Sequence, residues 1–375
     1  NINFVYFFLL LSFIFINVVF YRIGEHGTDR SAQILLLLIF SIFFEVFYFE
    51  KNEKNIYLKI SILLILIFLA SSMKAIYYLY LILIPFIFIR KKYIKKFLIK
   101  KNFLLILFLS LSLSLNLITN YLNTGCFLYP AEKTCIGSNK WSIPKKEVKI
   151  MALHYEWWSK AGGGPGYENE MKREVYVQNF TWVKNWIERH FFNKVSDTLL
   201  GILFISIIVF FVFRFSGIKK NNYYANKYLL AYFLPLLFLI EWFLHHPAMR
   251  YGGYVLFAIP FFVLTSVSLE KLSFKNQKLY INSIIFIVLT ILIFNSRNLI
   301  RINKEIKIYN YKILKSPYFY TDKVEPELIH KRDNFHLYST KNKKMCWASQ
   351  TPCSYDRNLK SKKFLWMNMV YRDEE

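Results

Sequence analysis

Nine apolar runs alternate with short polar or basic loops along this chain, and that alternation leaves few ways to fold. The runs cover residues 2–20, 31–49, 56–73, 75–89, 103–119, 198–215, 228–244, 254–269 and 279–295. Each is long enough, or nearly so, to cross ~30 Å of hydrocarbon as a helix of ~20 residues. A backbone in lipid must satisfy its own hydrogen bonds, so runs of this kind read as helices. The run 75–89 is short, and Pro85 is expected to kink it. With 55% hydrophobic and 19% aromatic residues, the chain is too apolar for an ordinary soluble domain. The expected fold class is all-α: a polytopic transmembrane helical bundle of about nine spans. Residues 1–119 carry spans one to five and residues 198–295 carry spans six to nine. Residues 120–197 form a long extracytoplasmic loop, and residues 296–375 form a small disulfide-pinned outer domain.

Orientation follows from the loops. On one side the short loops hold 16 Lys and Arg, among them Lys51, the cluster from Arg90 to Lys101, Lys219 and Lys271. The opposite short loops hold 4: Arg22, Arg30, Lys74 and Arg250. The positive-inside rule places the first set in the cytoplasm and everything unusual outside. The cysteines agree, since all four lie in the long loop or the tail, as the local pairs Cys126/Cys135 and Cys346/Cys353. Local pairing suits disulfides in an oxidising compartment. A four-cysteine zinc site is the alternative, at spacings unlike the usual C-x2-4-C.

The formal net charge of +25 raises nucleic acid as a partner. The basic residues collect at the ends of apolar runs and make no reading stripe, so nucleic acid is set aside and lipid is the expected partner. The first residue is Asn1 and an apolar run begins at once, with no recognisable leader pattern. An N-terminally incomplete chain is therefore expected.

The polar loop at 245–253, His-His-Pro-Ala-Met-Arg-Tyr-Gly-Gly, is the most unusual stretch. Two imidazoles and a guanidinium exceed what a hairpin needs, and ionisable groups at a membrane boundary are candidates for function. Glu241 lies one helical turn before His245 and shares its face. In the first polar loop, Glu25, His26 and Asp29 suit either a divalent cation or a general base. Thr28 or Asp29 suits equally a helix cap for the run that follows, with Arg30 as an interfacial anchor. Lys74 closes a tight turn and reads either as a snorkelling lysine or as a point charge for phosphate. The glycines of 162–166 read as a hinge or covering loop, since the Lys-Ser/Thr of a nucleotide loop is missing. Tyr176, Phe180, Val183, Ile187 and Phe191 recur at helical spacing, which predicts a helix along the membrane interface with Trp182 and Trp186 at headgroup level. A helix packed on its own domain fits that stripe as well. Ser112, Asn116 and Asn120 form a polar line suited to interhelical hydrogen bonds. Glu45 and Lys59 are expected to snorkel.

Three features resemble the C-type glycosyltransferases, which take sugars from polyprenyl-phosphate carriers. Lys74 opens an apolar run containing Pro85, Arg250-Tyr251 precedes Pro260, and Glu25 and Asp29 stand in an outer loop. The segments EHGTDRSAQIL, TGCFLYP and HPAMRYGGY are similar to an uncharacterised bacterial group of such membrane proteins. The resemblance implies transfer of a lipid-linked sugar on the outer face of a bacterial inner membrane. Glu25 or Asp29 would serve as base or metal ligand. Lys74 and Arg250 would clamp the phosphate with Arg30 and His246, supported by Glu241, His245 and Tyr251. No ligand set for a metal can be named, and a divalent cation is the one cofactor left open. The alternative is a non-catalytic carrier, transporter or assembly subunit for lipid-linked glycans.

Overall fold

The computed structural model describes residues 3–21, 29–91, 103–136, 141–164, 166–219, 228–309, 326–332, 335–340, 346, 352–354, 359–364 and 367–372. Every one of the nine apolar runs lies on a helix: α1 (Asn3–Val19), α2 (Asp29–Phe44), α3 (Glu53–Met73), α4 (Leu83–Lys91), α5 (Phe103–Thr124), and, after a loop helix α6 (Lys145–Ser159), α7 (Ser196–Ser216), α8 (Leu229–His245), α9 (Gly253–Glu270) and α10 (Asn276–Tyr309). Among the described residues, five helical stretches are long and apolar enough to cross a membrane: Asp29–Phe49, Glu53–Met73, Val183–Ser216, Gly253–Glu270 and Asn276–Ile308. Shorter apolar helices cover Phe4–Val19, Ala75–Ile89 and Leu229–His245.

Local chemistry sets several boundaries. Asn52 caps α3, its side chain accepting from the Lys54 N–H at 3.0 Å. The run after Lys74 begins as a 3-10 helix, Ala75–Ile82, and widens to α-helix at Leu83, two residues before Pro85. Proline has no N–H to donate, so the regular ladder is interrupted close to this point. α2 ends in a π-turn, Glu45–Phe49, and α7 is preceded by a longer π-stretch, Ile187–Val195.

The described chain divides into two compact units. The first holds Asn1–Leu117 and Lys149–Asn298. At its centre α9 packs against α1, α2, α7 and α8. It is apolar on every face, as a helix surrounded by neighbours must be. Phe4, Phe7, Phe8 and Phe15 of α1 are fully buried and meet Phe44, Phe213 and Phe262 edge-on. The second unit holds Ile118–Val148 and Leu299–Glu375. There Cys126 is bonded to Cys135 and Cys346 to Cys353, so the local pairs are disulfides and the zinc alternative falls.

The structure corrects four expectations. The tail is not helical throughout its described part: β5 (Pro326–Arg332) pairs antiparallel with β6 (Phe335–Thr340), and β7 (Leu359–Phe364) with β8 (Met367–Arg372). Together with two short antiparallel pairs elsewhere, β1 (Gly163–Gly164) with β2 (Tyr167–Glu168) and β3 (Ile218–Lys219) with β4 (Leu272–Ser273), these hairpins mean the chain is mostly helical, not all-α. The last run does not stop at Asn295, because α10 continues to Tyr309. The stripe from Tyr176 to Phe191 is not one helix: Asn179 and Phe180 adopt φ of 52° and 59°, a left-handed step that ends the turn Arg173–Tyr176. Trp182 and Trp186 are buried against Phe243, not displayed at headgroup level. Finally, Glu45 and Lys59 do not snorkel apart; Lys59 Nζ lies 3.0 Å from Glu45 and also pairs with Glu50. Between α4's approach and α5, Tyr78 donates to Asn116 Oδ1 at 2.9 Å, the interhelical bond its polar line suggested.

Candidate functional site

The site lies within the first unit, and its charged centre is assembled from three segments. Asp29 opens α2, where a carboxylate is favoured by the helix N-terminus. Lys74 ends α3 with an extended backbone, φ −151° and ψ 128°, which turns its side chain out of the helical register. Arg250 and Tyr251 belong to a 3-10 turn, Met249–Tyr251, after the proline loop. The turn closes at Gly252, whose φ of 108° is a conformation that side chains resist.

Asp29 holds these segments together. One carboxylate oxygen ion-pairs with Lys74 Nζ, and the other lies 3.1 Å from Arg250 Nε. The Asp29 and Lys74 side chains are mostly buried, while Arg250 is half exposed. Lys74 Nζ also sits 4.4 Å from the centre of the Tyr251 ring, and the Arg250 guanidinium lies 5.4 Å from the Trp158 ring. Burial pulls the Lys74 ammonium below its usual value and the nearby Arg250 charge adds to that, while Asp29 opposes both. Burial, with the charge on Asp29, raises Tyr251, which stays protonated.

The loop at 245–253 is fixed by other side chains. Trp242 Nε1 donates to the Ala248 carbonyl at 3.1 Å, and Trp186 Nε1 donates to the Pro247 carbonyl. Ser159 Oγ reaches the His245 carbonyl at 3.4 Å. Gly253 is required here, because a Cβ would come within 2.7 Å of the Trp242 ring. In the loop helix, Trp157 lies flat against Gly162 and Gly163, where any Cβ would strike the indole at 2.2 Å. Gly162 and Gly163 therefore serve close packing, while Gly164 and Gly166 have open space around them. His246 is half-buried, and burial takes its imidazole down to about 4; Glu156 pulls the other way, while His245, Lys160 and Lys74 push it further down. At neutral pH it is uncharged.

Beside the ion cluster lies a cavity of about 180 Å³, lined by Asp29, Arg30, Gln33, Trp158, His190, Lys194, Ala248, Met249, Arg250 and Tyr254. Gln33 is fully buried. Its Nε2 points at the Met249 and Arg250 carbonyls, at 3.3 and 3.4 Å.

Of the residues singled out from sequence, the structure brings Asp29, Lys74, Arg250 and Tyr251 into contact and sets Arg30 on the cavity wall. The His246 ring lies 5.6 Å from that of Tyr251, tilted by 46°, and does not line the cavity. His245 is exposed, contributing its backbone carbonyl. Glu241 faces His245 and makes no ion pair with Lys74 or Arg250 among the described residues; Asp29 takes that part. Glu25 and His26 lie outside the described residues. Sequence reading missed Gln33, Trp158, His190 and Lys194. Gln33 had a signal: it is the one amide in its apolar run and stands one helical turn beyond Asp29. His190 and Lys194 had little, since the π-stretch changes which residues share a face. Among the described residues no cluster of three or more His, Cys, Asp or Glu is placed to hold a metal ion.

A family model described as a domain of unknown function (DUF8201) matches residues 1–257. The chain belongs to this family. Every residue lining the cavity, from Asp29 to Tyr254, falls inside the part matched to the DUF8201 model. No curated protein and no solved structure matches the chain.

Proposed function

We propose that this DUF8201 protein is a polytopic protein of the bacterial inner membrane, with about nine spans, that transfers a sugar from a polyprenyl-phosphate donor on the outer face. The reading is carried by one observation: the mostly buried Asp29 carboxylate bridges two cations, Lys74 and Arg250, beside a cavity that Asp29 and Arg250 both line. Two cations against one acid leave a net positive charge in the triplet, which suits a phosphate. The 16-to-4 asymmetry of basic residues supports placing this end outside.

In the transfer, the lipid phosphate enters between Lys74 and Arg250 and takes over their charges from Asp29. Both carboxylate oxygens are then released. Asp29 accepts the proton of the acceptor hydroxyl as that oxygen attacks the anomeric carbon. The bond from that carbon to the phosphate oxygen breaks, and the phosphate leaves with the electron pair, held by the two cations. Neutral His246 and Tyr251 shape the wall behind them.

A non-catalytic role, as carrier or assembly subunit, is favoured by the fact that both oxygens of Asp29 are already engaged. Asp29→Asn separates the two. Membranes carrying the variant at matched protein levels should bind the lipid donor and transfer nothing. Loss of neither, or unchanged transfer, overturns the enzymatic reading.

A further inference from the structure

The amide of Gln33 carries an argument beyond phosphate binding. Its Nε2 donates toward two backbone carbonyls, which fixes the amide orientation, because a flipped amide would set oxygen against oxygen. Its Oε1 is fully buried and has no hydrogen-bond partner among the described residues. Leaving a buried acceptor unpaired is costly, so a site that keeps one is prepared for a donor. His190 Nε2, on the same cavity wall, is likewise unpartnered among the described residues. The Trp158 indole adds an apolar face, and the volume of about 180 Å³ is below the ~300 Å³ at which pockets for drug-sized ligands begin.

We propose that this cavity is a subsite for a single sugar residue, in which Gln33 Oε1 accepts a hydrogen bond from one ring hydroxyl and Trp158 meets the ring's apolar face. Gln33 is thereby a specificity-determining residue. Asp29 and Gln33 stand one turn apart on α2, so the same helix carries the proposed base and the group that reads the sugar. The phosphodiester of a lipid-linked sugar satisfies the cations but has no O–H to donate to Gln33; a hydroxylated ring does. The inference rests on the reading that Lys74 and Arg250 hold the donor's phosphate.

The test uses the full chain in detergent, with tryptophan fluorescence following titrations of inorganic phosphate and of glucose, galactose, mannose and N-acetylglucosamine 1-phosphates. At least one sugar phosphate should bind tenfold or more tightly than phosphate. Removing one of its hydroxyls, in a monodeoxy analogue, should weaken binding to the wild-type chain about tenfold, the loss expected for one partner of a buried hydrogen bond. The same deletion should cost nothing in Gln33→Met. The analogue series on the unaltered chain decides the matter even if Gln33→Met does not fold. If no sugar phosphate outbinds phosphate, or no hydroxyl matters, the subsite is overturned while the anion site stands. If phosphate itself does not bind, the reading of Lys74 and Arg250 falls with it. Gln33-dependent sugar binding without any transfer in membranes leaves the subsite intact and removes the enzymatic reading.

Discussion

Two charge clusters in the first unit are mirror images. In one, Asp29 sits between the cations Lys74 and Arg250; in the other, Lys59 sits between the carboxylates of Glu45 and Glu50. Each central group is mostly buried, at 17% and 23% side-chain exposure. The surroundings separate them. Lys59 staples the π-turn after α2 to the next helix, and none of its three members lines the cavity. The Asp29 cluster borders the cavity, under a loop pinned by two indoles. A charge cluster between packed helices only ties them together, whereas a cluster beside a shaped cavity is placed to meet a ligand.

The largest effect should come from removing the centre of the first cluster. Asp29→Asn leaves Lys74 and Arg250 without a counter-charge, and breaking a buried pair costs ~3–5 kcal/mol. Because Arg250 is half exposed, about 3 kcal/mol is expected, read as a lowered thermal midpoint in detergent. A change below about 0.5 kcal/mol would erase the contrast between the clusters.

Acid should distinguish them next. His246 has a folded-state value of about 4 against an ordinary 6.5, so the unfolded chain binds the proton first as pH falls. Its contribution is complete above pH 6.5 and is lost as pH falls toward 4, amounting to about 2 kcal/mol by pH 5. His246→Gln should flatten that slope in a pH series of melts; an unchanged slope would assign the acid sensitivity elsewhere.

Crowding the pinned loop should have a smaller effect. Gly253→Ala drives a methyl toward the Trp242 ring and the Met249 sulfur, at 2.7 and 3.0 Å, for about 1–2 kcal/mol. It should also weaken donor binding, since the loop that carries Arg250 shifts. Normal stability together with normal binding would mean the indoles do not fix the loop.

Smallest of all, Lys59→Gln should cost under ~1 kcal/mol and leave donor binding untouched, as for a partly solvated ion pair. Loss of binding there would make the second cluster part of the functional machinery after all.

The helices were legible because hydrophobic run length is a coarse and robust signal, and all nine runs were found on helices. Partnerships were less so. Asp29 offered itself as cap or functional acid, and sequence could not say that both its oxygens would be taken. The helical stripe through Phe180 broke because two residues take left-handed backbone angles, of which only Asn179 advertises that tendency. Trp186 was misplaced for a related reason: an indole N–H suits a headgroup or a backbone carbonyl equally, and here the Pro247 carbonyl accepts from it. The β5–β6 hairpin had a signal in Asp333-Asn334 between its strands, outweighed by the tail's charge.

The 3-10 turn after Lys74 has a consequence in reach. Eight residues at ~2.0 Å rise and nine at ~1.5 Å carry Ala75–Lys91 across about 30 Å, the thickness of a hydrocarbon layer. Wound throughout as α-helix, the same residues would fall about 4 Å short. The tighter winding gives the shortest apolar run about 4 Å more reach, and that run starts at Lys74, beside Asp29.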